Sequence, residues 1–213
     1  MKNYAKLTIG LVIVWFVFAL SASALHLFQN NANRIGLAVA IAAVTPIVVF
    51  SLWFAASDSF RRFTLSLNPK LLTSAQSWRF VGFTFVLLEA HRILPAVFAF
   101  PAGYGDMFIG VTASYVAWKL ADPAHRNYFI FWQLLGILDL VIAVSVGTTA
   151  ALIDRQGPPM VPMTMLPLSL IPTFLVPLFI ILHVICIAQA RSWKTAPQRV
   201  TQTASPSTIP QSS

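Results

Sequence analysis

The 213-residue sequence is short of charge, with only 9% Asp, Glu, Lys and Arg. Ordinary soluble domains carry about 25%, so too little polar surface is present to cover a water-facing globule. Acidic residues are scarcest, 6 against 14 Lys and Arg. Cysteine is reduced to Cys186, which excludes a disulfide-stapled secreted domain. The spacings that mark familiar catalytic chemistry are also missing. There is no HExxH, CxxC, GxSxG or Walker loop, and no acidic pair at metal spacing. These absences exclude a soluble enzyme, and the apolar content excludes a disordered chain. What is present is 57% hydrophobic and 13% aromatic residues, with a mean hydropathy of +0.76. That composition describes an all-α, multi-pass membrane helix bundle.

A membrane-crossing helix needs about 20 mostly apolar residues. Six windows qualify, at about 7–28, 35–56, 80–100, 105–120, 129–150 and 166–190. The net charge of +8 would suggest nucleic acid in a soluble protein, but here basic residues flank apolar runs and set orientation instead. With the N-terminus inside, the inner segments hold Lys2, Lys6, Arg61, Arg62, Lys70, Arg79, Lys119, Arg126, Arg191, Lys194 and Arg199. The outer segments hold only Arg34 and Arg155, and Arg92 falls within a span. The positive-inside rule then makes both termini cytoplasmic, in a plasma membrane. Residues 1–24, with Lys2, Lys6 and the small-residue run Ala22-Ser23-Ala24, also carry the marks of a cleavable signal. Their apolar run continues through Phe28, which favours a retained span.

Between the second and third windows, residues 57–77 interleave Phe60, Arg61, Arg62 and Phe63. This pattern suits a cytoplasmic segment lying in the headgroup layer, its arginines against anionic lipid. Asn68-Pro69 is expected to break any helix there. Residues 192–213 turn to Thr, Ser, Gln and Pro and read as a disordered cytoplasmic tail.

Charges inside a bilayer are costly and mark functional candidates by default. The intramembrane polar cluster read from the sequence is Glu89, Arg92, Asp106, Asp139 and His183. Pro101, Gly103 and Gly105 read as a tight hairpin joining the third and fourth spans. Arg92 and Asp106 are equally far along the chain from Arg79 and Lys119, so they should pair at one depth across that hairpin. Glu89 lies three residues from Arg92 on the same helix face and should share the cation. Asp106, Gly110, Ala113 and Ala117 line one face of the fourth span, and Gln133, Gly136, Asp139 and Ala143 one face of the fifth. Small residues at such spacing let membrane helices pack closely. Asp139, without a lysine in reach, is expected to bond His183 or a helix backbone. Pro162, Pro167, Pro172 and Pro177 recur every five residues, and Pro172 and Pro177 are the expected kinks of the last span. Broken helices at this depth suit a cavity wall.

Three functional readings follow. In the first, the cluster lines a polar cavity that handles a small solute, an ion or protons. In the second, the same groups only tie together an accessory or scaffold subunit of a larger complex. The third is haem- or quinone-linked redox work, with haem held between His91 and His183; no cofactor is otherwise implied. No metal site and no catalytic residue is assigned. The bilayer is the certain partner, and nucleic acid is not one. Six spans without a visible duplication would have to form a homo-oligomer to act as a repeat-built transporter. The stretches Pro101–Asp106, Gly136–Leu140 and Ile171–His183 resemble a group of uncharacterised bacterial multi-pass integral membrane proteins. The resemblance implies a bacterial inner-membrane protein and carries no activity.

Overall fold

The computed structural model describes residues 2–29 and 37–193. Arg34 and the tail from residue 194 therefore lie outside the described residues. Among the described residues every regular element is helical. The α-helices are α1 (Lys2–Ala24), α2 (Leu37–Ala56), α3 (Asp58–Leu65), α4 (Pro69–Ser74), α5 (Phe83–Ala90), α6 (Ala96–Lys119), α7 (Arg126–Ile153) and α8 (Val176–Ser192). Among the described residues, five stretches are long and apolar enough to cross a membrane: Tyr4–Ala24, Leu37–Ala56, Ala96–Lys119, Pro123–Ala150 and Ile171–Ser192. Apolar runs of this length become helices because a helix satisfies its own backbone groups where water is absent.

The segment after α2 is divided between two short helices. Ser57 caps α3 by accepting from Phe60 N. Phe60 and Phe63 turn inward, where Trp53 stacks on Phe60 with ring centroids 3.9 Å apart and Tyr4 stacks on Phe63. Asn68-Pro69, expected to break a helix, starts one. The Asn68 side chain accepts from Lys70 N, and Pro69 occupies the first turn of α4, where its missing donor costs nothing. A 3-10 segment, Ala75–Gly82, then joins α4 to α5 without interruption.

This arrangement corrects the third and fourth expected spans, 80–100 and 105–120. There is no hairpin at Pro101–Asp106, because Pro101 lies inside α6, which begins at Ala96. The turn comes earlier, at His91–Pro95, with Arg92 at φ 57. The glycines read as turn residues serve close packing instead. A Cβ on Gly103 would sit 2.8 Å from Val86 Cγ2 and 3.1 Å from the Gly82 carbonyl. Asp106 consequently stands well inside α6 and not at a helix start.

The proline-rich approach to α8 forms a 3-10 turn, Val161–Thr164, and later a π-helical turn, Ile171–Leu175, that contains Pro172. Pro177 follows in the first turn of α8. In a regular helix its N–H would bond the Thr173 carbonyl, and proline has none to give. Trp15 of α1 supplies the missing donor, its Nε1 reaching that oxygen at 3.2 Å. Ser169 Oγ donates to Ser23 Oγ at 2.8 Å beside it. Two of the apolar clusters of the bundle core bracket the site. One is built on Phe85, Leu94, Phe98, Ala102 and Met163, the other on Ile109, Ala113, Phe129, Trp132 and Cys186. Polar side chains fill the layer between them.

Candidate functional site

The residue at the centre of that layer is Arg79, which sequence reasoning had set aside as an inner-face marker. It lies midway along the helical run 69–90, and its side chain is 1% exposed. The 3-10 segment explains how one stretch buries so much polarity. With three residues per turn, positions i, i+3 and i+6 stack on one face. Gln76, Arg79 and Gly82 are the buried residues of this segment. Thr73 before it and Phe85 after it continue the same register and are also buried. An α-helix would turn this row progressively toward lipid. The three-residue repeat of Thr73, Gln76, Arg79 and Gly82 was the available signal, and a 3.6-residue reading passes over it.

Arg79 is held from four sides. Its Nε donates to Asp106 Oδ1 at 2.7 Å, and its Nη2 donates to Asp139. Its Nη1 donates to the Gly136 carbonyl at 3.2 Å and lies 3.3 Å from His183 Nε2. A guanidinium only donates, so His183 Nε2 accepts and its proton sits on Nδ1, which faces Gln133 Oε1. The Gln133 amide then donates to Thr73 Oγ1 at 3.0 Å, and Thr73 Oγ1 is 3.7 Å from Cys186 Sγ. One chain of hydrogen bonds thus links the 69–90 run with α6, α7 and α8. With both acids ionised it holds two negative charges and one positive. A proton or a cationic ligand group would bring it to neutrality.

Glycines make this proximity attainable. A Cβ on Gly82 would overlap Asp106, one on Gly105 would overlap the Asp139 carboxylate, and one on Gly136 would overlap the His183 ring. On Gly110 it would strike the backbone of Phe80. The small-residue faces of α6 and α7 are therefore the faces that close on the cluster.

Of the residues expected to form the site, Asp106, Asp139 and His183 meet here, and Glu89 and Arg92 do not. The expected Arg92–Asp106 pair is replaced by Arg79–Asp106, because α6 starts earlier than the hairpin reading allowed. Arg92 is exposed in the turn after α5, where its N–H donates to the Glu89 carbonyl at 2.6 Å. Glu89, Arg92 and Asp154 border an open pocket at that end of the bundle. His91 is exposed on the same turn. Both ring nitrogens of His183 are engaged, by Gln133 and Arg79. Pro172 lies at the π-helical turn, whose residues wall a cavity.

That cavity separates α2 from α5, α6 and α7. Val39, Ala43, Phe98, Ala143, Gly147 and Met163 contribute to its walls, and Asp106 is its one ionisable lining residue among the described residues. A smaller pocket, lined by Arg79 and Asp106, adjoins it through Phe85, Asp106 and Leu140. The ionisable cluster stands behind apolar walls. Asp106 keeps 15% of its side chain accessible, and its second oxygen, Oδ2, accepts no hydrogen bond from a described residue.

The model of a family described as a domain of unknown function (DUF8737) matches residues 34–191. The match takes in every member of the cluster and leaves α1 outside. No curated protein and no solved structure matches the chain.

Proposed function

The chain belongs to the DUF8737 family, and we propose that it handles a small, mostly apolar molecule that enters sideways from the bilayer and docks a hydrogen-bond-donating end on Asp106. The observation that carries this reading is the cavity. Its walls are apolar, it stands between α2 and helices α5, α6 and α7, and among the described residues its one ionisable group is a carboxylate with an oxygen that accepts no hydrogen bond. Apolar walls hold water poorly, which argues against a hydrated ion as the solute. The acceptor oxygen and the excess of negative charge favour an amine or a hydroxyl at the ligand's polar end. The paired acids behind it are suited to exchange a proton with that group.

The same reading places six crossings in the membrane. The run 69–90 spans roughly 37 Å by the rise of α- and 3-10 helices and would be the third, from α3 toward the His91 turn. Both termini would then lie on the side of α3, facing the cytoplasm under the positive-inside rule.

The test uses the purified protein in nanodiscs with medium-chain alkylamines, alcohols and carboxylates. The amine and the alcohol should raise the melting temperature, and the carboxylate should not. Gly147→Leu, which fills the cavity from a position with its nearest neighbours 3.4 Å from a Cβ, should abolish the shift, as should Asp106→Asn for the amine. No shift with any compound, or an equal shift with the carboxylate, overturns the proposal. A scaffold role predicts that Gly147→Leu changes nothing.

A further inference from the structure

A second site lies at the α3 end of the bundle, away from the cavity. There a groove runs between α3, the end of α2 and the last turns of α8. Val184, Ile187, Ala188 and Arg191 lie on one face of α8 at helical spacing, and Arg61 and Leu65 are one turn apart on α3. The groove therefore has an apolar floor and an arginine on each of two sides, with no acid in its lining among the described residues.

Its walls are held in place. The Gln189 amide donates to the carbonyls of Thr64 at 3.1 Å and Leu67 at 2.7 Å, which fixes the end of α3 against α8. On its other face, α3 is pinned by the Trp53–Phe60 stack. Arg61 is also paired with Asp58, yet 43% of its side chain stays exposed. Arg191 is exposed in the last turn of α8.

We infer that this groove is a binding site for an anionic phospholipid. The phosphate would lie between Arg61 and Arg191, with one acyl chain along Val184, Ile187 and Ala188. Two arginines in one lining complement an anionic headgroup, and the apolar floor matches the chain.

Native mass spectrometry of the full chain, released from nanodiscs of mixed phosphatidylglycerol and phosphatidylcholine, tests it. The wild type should retain phosphatidylglycerol preferentially. Arg61→Gln and Arg191→Gln should each lower that preference about fivefold, the effect of one basic residue at an anionic surface. Arg92→Gln, at the opposite end, removes the same charge and should leave it unchanged. Equal retention of the two lipids overturns the assignment, and so does an equal loss with Arg92→Gln. If inorganic phosphate displaces the lipid as well as short-chain phosphatidylglycerol does, the floor contributes nothing and the lipid assignment falls.

Discussion

The first two helices and the rest of the bundle are built differently from similar composition. Over their most apolar windows, α1 and α2 are 17% and 11% buried, against 56% for the stretch that ends in α8. A long-range polar anchor of α1 is the Trp15 indole on Thr173, with Ser23 beside it. The body behind them surrounds an arginine bonded to three other helices and is packed through glycines. In a bilayer apolar side chains gain little by leaving lipid for one another, so helices associate through close packing and polar contacts. Where those contacts are dense the bundle is tight. Where they are few a helix can stand off and leave a cavity, as α2 does.

The sharpest test of this contrast is charge removal. Arg79→Ala leaves Asp106 and Asp139 buried without their cation and should cost about 3–5 kcal/mol, seen as lost folded yield on size exclusion. Arg92→Ala, on an exposed turn, should stay within about 0.5 kcal/mol. Combining Arg79→Met with Asp106→Asn and Asp139→Asn should recover much of the yield. A mild Arg79→Ala, or no recovery in the combination, would break the comparison.

Paired glycine substitutions come next. Gly136→Ala drives a methyl group into the His183 ring and should destabilise by about 1–3 kcal/mol. Gly10→Ala on α1 meets nothing within 4 Å and should be neutral or stabilising by up to about 1 kcal/mol through helix propensity. Thermal unfolding in detergent reads both. Similar effects at the two positions would mean that α1 is packed as tightly as α7.

The smallest expected effect sharpens the boundary between the two regions. Trp15→Phe keeps an aromatic ring beside Phe174 but removes the donor to Thr173, a loss of about 1 kcal/mol. Hydrogen exchange should quicken in α1 and around the π-helical turn while α6 and α7 stay protected. Uniform quickening would show one cooperative unit and no distinct periphery.

Much of the helical content could be read directly. The windows at 35–56, 129–150 and 166–190 overlap α2, α7 and the run into α8, because apolar runs without polar alternation have few other structures open to them. The packing faces of Asp106 with Gly110 and Asp139 with Gly136 were also legible from spacing. The hairpin was not, because Pro-x-Gly-x-Gly signals either a tight turn or a place where backbones touch, and local sequence does not distinguish the two. Arg79 was missed for a related reason. Its value as a topology marker presumed a regular helix beginning near Phe80, whereas the chain enters the bundle at Pro69 and winds as a 3-10 segment.

By itself, the sequence determined that this chain forms apolar helices, because backbone groups without water must bond within their own segment. It also determined that a handful of ionisable groups would be buried among them. Tertiary structure alone decided which cation serves which acids. The partners of Arg79 stand 27, 57, 60 and 104 residues away along the chain. Bonds of that range depend on helix depth and rotation, which in turn rest on glycine contacts that no single segment specifies.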